Sequence, residues 1–141
     1  MQVIGRPERR GILGAVMPPR DKAVRRSTPL RRSFCPVSCA LDLIGDRWSL
    51  LVVRDLFRGK NRFGEFLESP EGIPTNILAD RLKRLTRYGI ISSRRYSEHP
   101  PRLEYSLTEK GEGLRSIMRS MVEWGVRHAG GRTPPPLPPR E

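Results

Sequence analysis

Acidic residues are scarce in this chain. Fifteen Asp and Glu stand against 27 Lys and Arg, so its 141 residues carry a formal net charge of +12. A surplus of that size asks for a polyanionic partner, of which nucleic acid and anionic membrane surfaces are the usual ones. Long apolar runs are missing as well. The nearest approach, GILGAVM at 11–17, contains two glycines and runs into Pro18 and Pro19 without a small-residue cleavage site. Neither a membrane span nor a secretory leader is therefore expected, and the chain is assigned to the cytoplasm, with no membrane among its partners. Met17 is a second candidate start. Length excludes a large multidomain enzyme, since 16.1 kDa holds one domain and little more.

Histidine and cysteine are limited to two residues each. Zinc sites favour C-x2-C pairs with two further ligands, whereas Cys35 and Cys39 are spaced C-x3-C and His99 and His128 lie far off in sequence. No metal and no cofactor are expected. On one helix, residues four apart hold their Cβ atoms about 5–6 Å apart, beyond the roughly 4.5 Å that a disulfide spans. No GxSxG, HExxH or Walker loop occurs, and GEGL at 111–114 is too short to cradle phosphate. The chain is read as a non-enzyme.

The positive charge is unevenly spread. Residues 1–34 hold nine Lys and Arg against two acids, with four prolines and no sustained hydrophobic period. Residues 1–33 read as a basic, mostly disordered arm. At the other end, five prolines within 132–141 mark a polyproline-like tail. The interval 34–131 remains for a small single-core domain.

Within it the periodicity predicts an α+β fold, mostly α. Pro36 suits a first helical position, and Val37, Leu41 and Ile44 recur on one face until Gly45. Asp46 is the expected N-cap of a second helix with Trp48, Leu51, Val52 and Leu56 inward, Trp48 serving as a core anchor. Asn61 is expected to cap a short third helix over 62–68 with Phe63, Phe66 and Leu67 inward. After a turn forced by Pro70, Gly72 and Pro74, a fourth helix is expected over 75–88. Leu78, Leu82 and Leu85 there fall within about 60° of one another. Asn76, Asp80, Lys83, Arg84 and Arg87 take the far side. Arg81 lies at the edge of the apolar stripe, able to pair internally or to reach a phosphate, and Asp80 is expected to pair with Arg84. Two strand-like runs follow at 90–97 and 102–107. Thr108 is expected to cap a long last helix whose seam is Leu114, Ile117, Met118, Met121, Val122 and Gly125, with Trp124 beside it.

A short helix, a turn, a basic amphipathic helix and then a two-stranded ribbon form the order of a winged helix-turn-helix. An α-helix fits the major groove, and its outer face must bond base edges and phosphates. Thr75 and Asn76 at the helix start are short polar readers. Lys83, Arg84 and Arg87 reach phosphates or guanine edges, and Arg94, Arg95, His99 and Arg102 bring charge to the wing. Arg62 joins these as a DNA-contact candidate.

The segments CPVSCALDLIGDRWSLLVVRDLFRGKNRFGEFL, GIPTNILADRLKRLTRYGII and PPRLEYSLTEKG closely resemble the HxlR-type helix-turn-helix transcriptional regulators of bacteria, over about 35–124. The resemblance implies a homodimer paired through its first and last helices, with two recognition helices in successive major grooves of double-stranded DNA. It also implies a possible small-molecule or oxidant effector, since some members sense oxidants through a cysteine placed like Cys35. That position precedes Pro36 at a helix N-terminus, where the dipole and free N–H groups stabilise a thiolate; a small buried apolar side chain is the blander role. Cys39 replaces a commoner polar residue and is either a resolving partner or core. The arm and the tail fall outside the resemblance. The leading reading is a dimeric, sequence-specific transcriptional regulator. Its rivals are a non-specific basic nucleic-acid binder of the nucleoid or ribosome, and a stimulus sensor whose DNA binding is secondary.

Overall fold

The computed structural model describes residues 32–136 and residue 139. The expected disorder of the arm falls on residues outside that range, apart from its last two, and residues 137, 138, 140 and 141 of the expected tail fall outside it too. The described elements run α1 (Pro36–Ile44), α2 (Ser49–Phe57), α3 (Phe63–Leu67), α4 (Thr75–Arg87), β1 (Ile91–Glu98), β2 (Pro101–Leu107), α5 (Glu109–Glu112) and α6 (Arg115–His128). The two strands pair antiparallel, with Ile91 opposite Leu107 and Arg94 opposite Glu104, and the register shifts between Arg95 and Ser97. The helix-turn-helix and ribbon order expected from the sequence is present.

Local chemistry accounts for most boundaries. Pro36 opens α1 and Gly45 closes it. The Asp46 carboxylate accepts hydrogen bonds from the N–H groups of Trp48 (2.9 Å) and Ser49 (3.0 Å), so it caps α2 as expected. At α3 the cap is Glu65 instead of Asn61. Its carboxylate accepts from the N–H groups of Asn61 (2.7 Å) and Arg62 (2.9 Å). Gly72, at φ +66°, supplies the left-handed residue that the turn before α4 requires.

Among the described residues thirteen apolar ones are buried, including Val52, Val53, Leu56 and Phe57 from α2, Phe66 from α3, and Leu78, Leu82 and Leu85 from α4. Trp48 packs against this core, as expected. Leu67 does not: it is 37% exposed. Leu67 is the last residue of this five-residue helix, and of its three apolar side chains only Phe66 is buried, with Phe63 half-buried.

The last helix is also different from expectation. Thr108 accepts a hydrogen bond from the Gly111 N–H (3.2 Å), but it caps only the one-turn α5, and the chain breaks at Gly113 before α6 begins at Arg115. Close packing explains the break. A Cβ on Gly111 would stand 2.1 Å from the Ile90 carbonyl oxygen, so α5 is pressed onto the entry to β1. Of the expected α6 seam only Met118 is buried, while Ile117, Met121 and Trp124 are exposed. Arg115 bridges back to α2, its guanidinium 4.5 Å from the Phe57 ring centroid.

Burial sets an expected contrast between two leucines. Leu78→Ala, at a fully buried position, should lower unfolding free energy by about 2–5 kcal/mol in urea denaturation. Leu67→Ala should change it by about 0.5 kcal/mol. Equal losses would contradict the assigned core.

Candidate nucleic-acid interface

Burial of one face of α4 fixes what the other presents. Leu78, Leu82 and Leu85 point inward, so Asn76, Asp80, Lys83 and Arg87, spaced i, i+4, i+7 and i+11, form one straight outward stripe. Thr75 is exposed beside it. Pro74 precedes the helix, and no side chain caps its first N–H groups. Asn76 is therefore not held as a cap, and its amide is open at the helix start. Arg84 sits to one side, half-buried, its guanidinium 5.8 Å from the Tyr88 ring.

Two sets of ion pairs hold α4 in place. Arg81 turns inward and pairs with Asp46 at 2.9 Å, tying the middle of α4 to the turn before α2. Burial works against the Asp46 charge. The Ser49 hydroxyl, the Trp48 and Ser49 N–H groups and Arg81 outweigh it and hold the carboxyl below its ordinary range. Arg81 also meets Asp80 at 3.0 Å. The expected Asp80–Arg84 pair is absent among the described residues, because the Tyr88 ring already stacks with Arg84.

The second set was not foreseen. Asp55, only 4% exposed, pairs with Arg54 at 2.9 Å and lies 3.8 Å from Lys60. The Ser69 hydroxyl donates to Asp55 and accepts from Lys60 Nζ at 2.7 Å, while Arg54 reaches on to Glu71. The end of α2 is thus bolted to the 69–74 turn that delivers α4. A readable signal existed: Asp55 sits three residues after Val52, at an inward phase, with a cation on its flank.

The wing is fastened beside α3. Tyr105 N–H donates to the Asn61 carbonyl at 2.8 Å, and Arg62 forms an isolated bridge with Glu104. The Arg62 guanidinium lies 4.3 Å from the Tyr96 ring centroid. Of the expected wing cations, Arg94 pairs with Glu104 across the strands and Arg95 with Glu98 at 3.1 Å. His99 is exposed in the connecting turn and Arg102 on β2. Lys83, Arg87 and Arg102 have no ion-pair partner among the described residues. The expected residues thus lie on α4, on the ribbon and at the start of α3, with the consecutive Arg94 and Arg95 on opposite faces of the ribbon and Arg62 and Arg84 stacked on tyrosines.

Cys35 is exposed at the start of α1, and both cysteines are free. Backbone N–H groups of Ser38 and then Val37 hold its thiol below the ordinary value. Cys39 is half-buried, its Sγ 3.5 Å from the Ser33 carbonyl oxygen. No group of three or more His, Cys, Asp or Glu able to hold a metal occurs among the described residues, and none of their helices is long and apolar enough to cross a membrane.

Comparison with known proteins gives concordant results. The family model for HxlR-like helix-turn-helix proteins matches residues 43–132. An uncharacterised HTH-type transcriptional regulator from Synechocystis sp. is 41% identical over 92 residues, which cover 65% of this chain and 68% of that protein. The redox regulator HypR in its oxidised form superposes with a TM-score of 0.60 at 38% identity, covering 70% of this chain and 98% of HypR. The reduced form of the transcriptional regulator YodB from B. subtilis gives 0.57 at 33% identity, covering 71% of this chain and all of YodB.

The Arg54–Glu71 pair has a pH signature. The Arg54 hydrogen bond is the largest influence on Glu71 and brings its carboxyl down from 4.5 to about 2. A depressed carboxyl stabilises the fold fully above the unfolded value and loses that contribution as pH falls through the folded one. Glu71→Gln should therefore flatten the decline in melting temperature between about pH 4.5 and 2. The change should be modest, since about a third of the side chain is open to solvent. An unaltered decline would show that the pair does not hold the turn.

Proposed function

This chain belongs to the HxlR-like helix-turn-helix family, and we propose that it is a homodimeric, sequence-specific regulator that reads duplex DNA through α4. Its relatives are HTH-type transcriptional regulators, a non-enzymatic role. The observation that carries the specific reading is the outward stripe of α4. It begins with Asn76, which does not cap the helix, and ends with Lys83 and Arg87, which have no ion-pair partner among the described residues. An amide at the start of a recognition helix can pair with both hydrogen-bonding atoms of an adenine edge, and cations further along meet phosphate. Arg102 and His99 extend the charged surface along the wing. Arg94 and Arg95 reach the backbone after parting from Glu104 and Glu98.

Exposed apolar residues support the dimer. Val37 and Leu41 on α1 and Ile117, Met121 and Trp124 on α6 are 41–66% exposed. An open groove of about 400 Å³ runs along α6 between Ile117, Met121 and Trp124. Isolated exposed leucines need no explanation, but two helices presenting such rows do. Pairing these rows joins two copies through the first and last helices, giving two α4 helices one two-fold axis and a two-half-site operator. An oxidant acting at Cys35 is the effector that fits. That thiol is exposed and acidified, and HypR is named a redox regulator. The protein would work in the cytoplasm, on the nucleoid.

Asn76→Ala separates this reading from a non-specific basic binder. Binding to the DNA upstream of its own gene should weaken by about 1–3 kcal/mol, while affinity for a scrambled duplex and the melting temperature stay as in the parent. Equal losses on both duplexes would remove Asn76 as a base reader.

A further inference from the structure

Two thiols share one side of α1. Cys35 is the residue that precedes the helix and Cys39 follows one turn later, about 40° away around the axis. The segment before the helix gives them a common neighbour. The Cys35 N–H donates to the Ser33 hydroxyl at 3.2 Å, and the Cys39 thiol donates to the Ser33 carbonyl at 3.5 Å. A helical side chain leans toward the N-terminus of its helix, so the Cys39 sulfur reaches back over the turn that Cys35 begins. Arg32, bonded to Asp42 at 2.7 Å, holds this segment along α1. Cys35 is exposed, Cys39 is half-buried, and both are free. The exposed apolar row of α1, Val37 and Leu41, stands about 160–240° round the helix from them. Pairing of two chains through that row uses a different face from the one that carries the thiols.

Spacing decides what such a pair can hold. Cβ atoms about 5–6 Å apart exceed the roughly 4.5 Å of a disulfide, so α1 would have to unwind for the two sulfurs to bond directly. One atom inserted between them adds a bond to the path and removes that obstacle. Tetrahedral zinc needs two further protein ligands, and no group of three or more His, Cys, Asp or Glu able to hold a metal occurs among the described residues. What two thiolates alone complete is a soft centre that brings its own third substituent. Thiolate sulfur prefers soft partners, and the Ser38 and Val37 N–H groups favour the thiolate form of Cys35.

We propose that Cys35 and Cys39 together form a dithiol site for a trivalent arsenical carrying one organic group, whose arsenic bridges the two sulfurs across one turn of α1. The exchange balances without an oxidant. Two S–H and two As–OH bonds break, two As–S bonds and two molecules of water form, and arsenic stays trivalent with its carbon substituent in place. The only contact given up is the weak bond from the Cys39 thiol to Ser33. Once the first As–S bond has formed, the second closes within the chain at high effective concentration. This site goes beyond an oxidant acting at Cys35, because it needs both thiols and oxidises neither.

The test uses the full-length chain, reduced with a phosphine, and phenylarsine oxide as the probe. Native mass spectrometry counts the phenylarsenic groups bound, and titration of free thiols counts the cysteines consumed, with glutathione added as a monothiol competitor. The parent should hold one group per chain with both thiols consumed. Cys35→Ser and Cys39→Ser should each release the group to glutathione at least about a hundredfold more readily. A variant with Cys39→Ser and Leu41→Cys keeps two thiols on different faces of α1 and should release it as the single variants do. Two groups per chain, one group shared between two chains, or equal retention by a single-cysteine or relocated-cysteine variant would overturn the proposal. No DNA enters the measurement, so its outcome leaves the reading of α4 untouched.

Discussion

The outward half of α4 is placed by its inward half. Leu78, Leu82 and Leu85 are buried against the α2 and α3 core, and with 100° between successive residues that leaves Asn76, Asp80, Lys83 and Arg87 facing solvent in one line. Hydrophobic packing fixes the rotation of the helix but resists sliding along its axis only weakly. Directional contacts supply the rest. Arg81 pegs the middle of the helix to Asp46, and the Asp55, Ser69, Lys60, Arg54 and Glu71 network holds the turn from which it starts. If the leucines gave way, neither peg would have a helix to position, and the polar stripe would lose its common direction.

The same sequence is economical about surfaces. Its core is completed by Met118 from α6, while Ile117, Met121 and Trp124 of that helix remain outside with Val37 and Leu41 of α1. These five side chains are exposed in the single chain, and the proposed two-fold pairing would bury them together. Charge is divided in a comparable way. Acids within the fold hold Arg81, Arg94 and Arg95 in defined positions, which favours geometry over attraction, while Lys83, Arg87 and Arg102 have no ion-pair partner among the described residues.

Much of this was legible beforehand, because periodicity reports faces directly. The Leu78–Leu82–Leu85 stripe, Pro36 at a helix start, Asp46 as a cap and the ribbon after Gly89 are local signals, and the structure carries each. What was misread depends on tertiary context. The seam of the last helix is continuous in sequence, yet Gly111 must lie against the Ile90 carbonyl, and the chain turns at Gly113 to allow it. Leu67 looked inward because a longer α3 would have buried it. Asp80 had Arg84 at the right spacing, and a tyrosine four residues further on drew that arginine away. Ion pairs such as Arg54–Glu71, seventeen residues apart, leave no periodic trace. The candidate interface was legible as a set of residues, and its internal pairing of Arg94 and Arg95 was not.

The central claim is that two copies of α4, related by a two-fold axis, read one operator. Hydroxyl-radical footprinting on DNA upstream of the gene, combined with the mass of the complex, addresses it most directly. Two protected patches centred about 10–10.5 base pairs apart, or a small multiple of that, with two chains per duplex, are the expected result. A single short patch with one chain bound, or uniform protection with no fixed register, would contradict it.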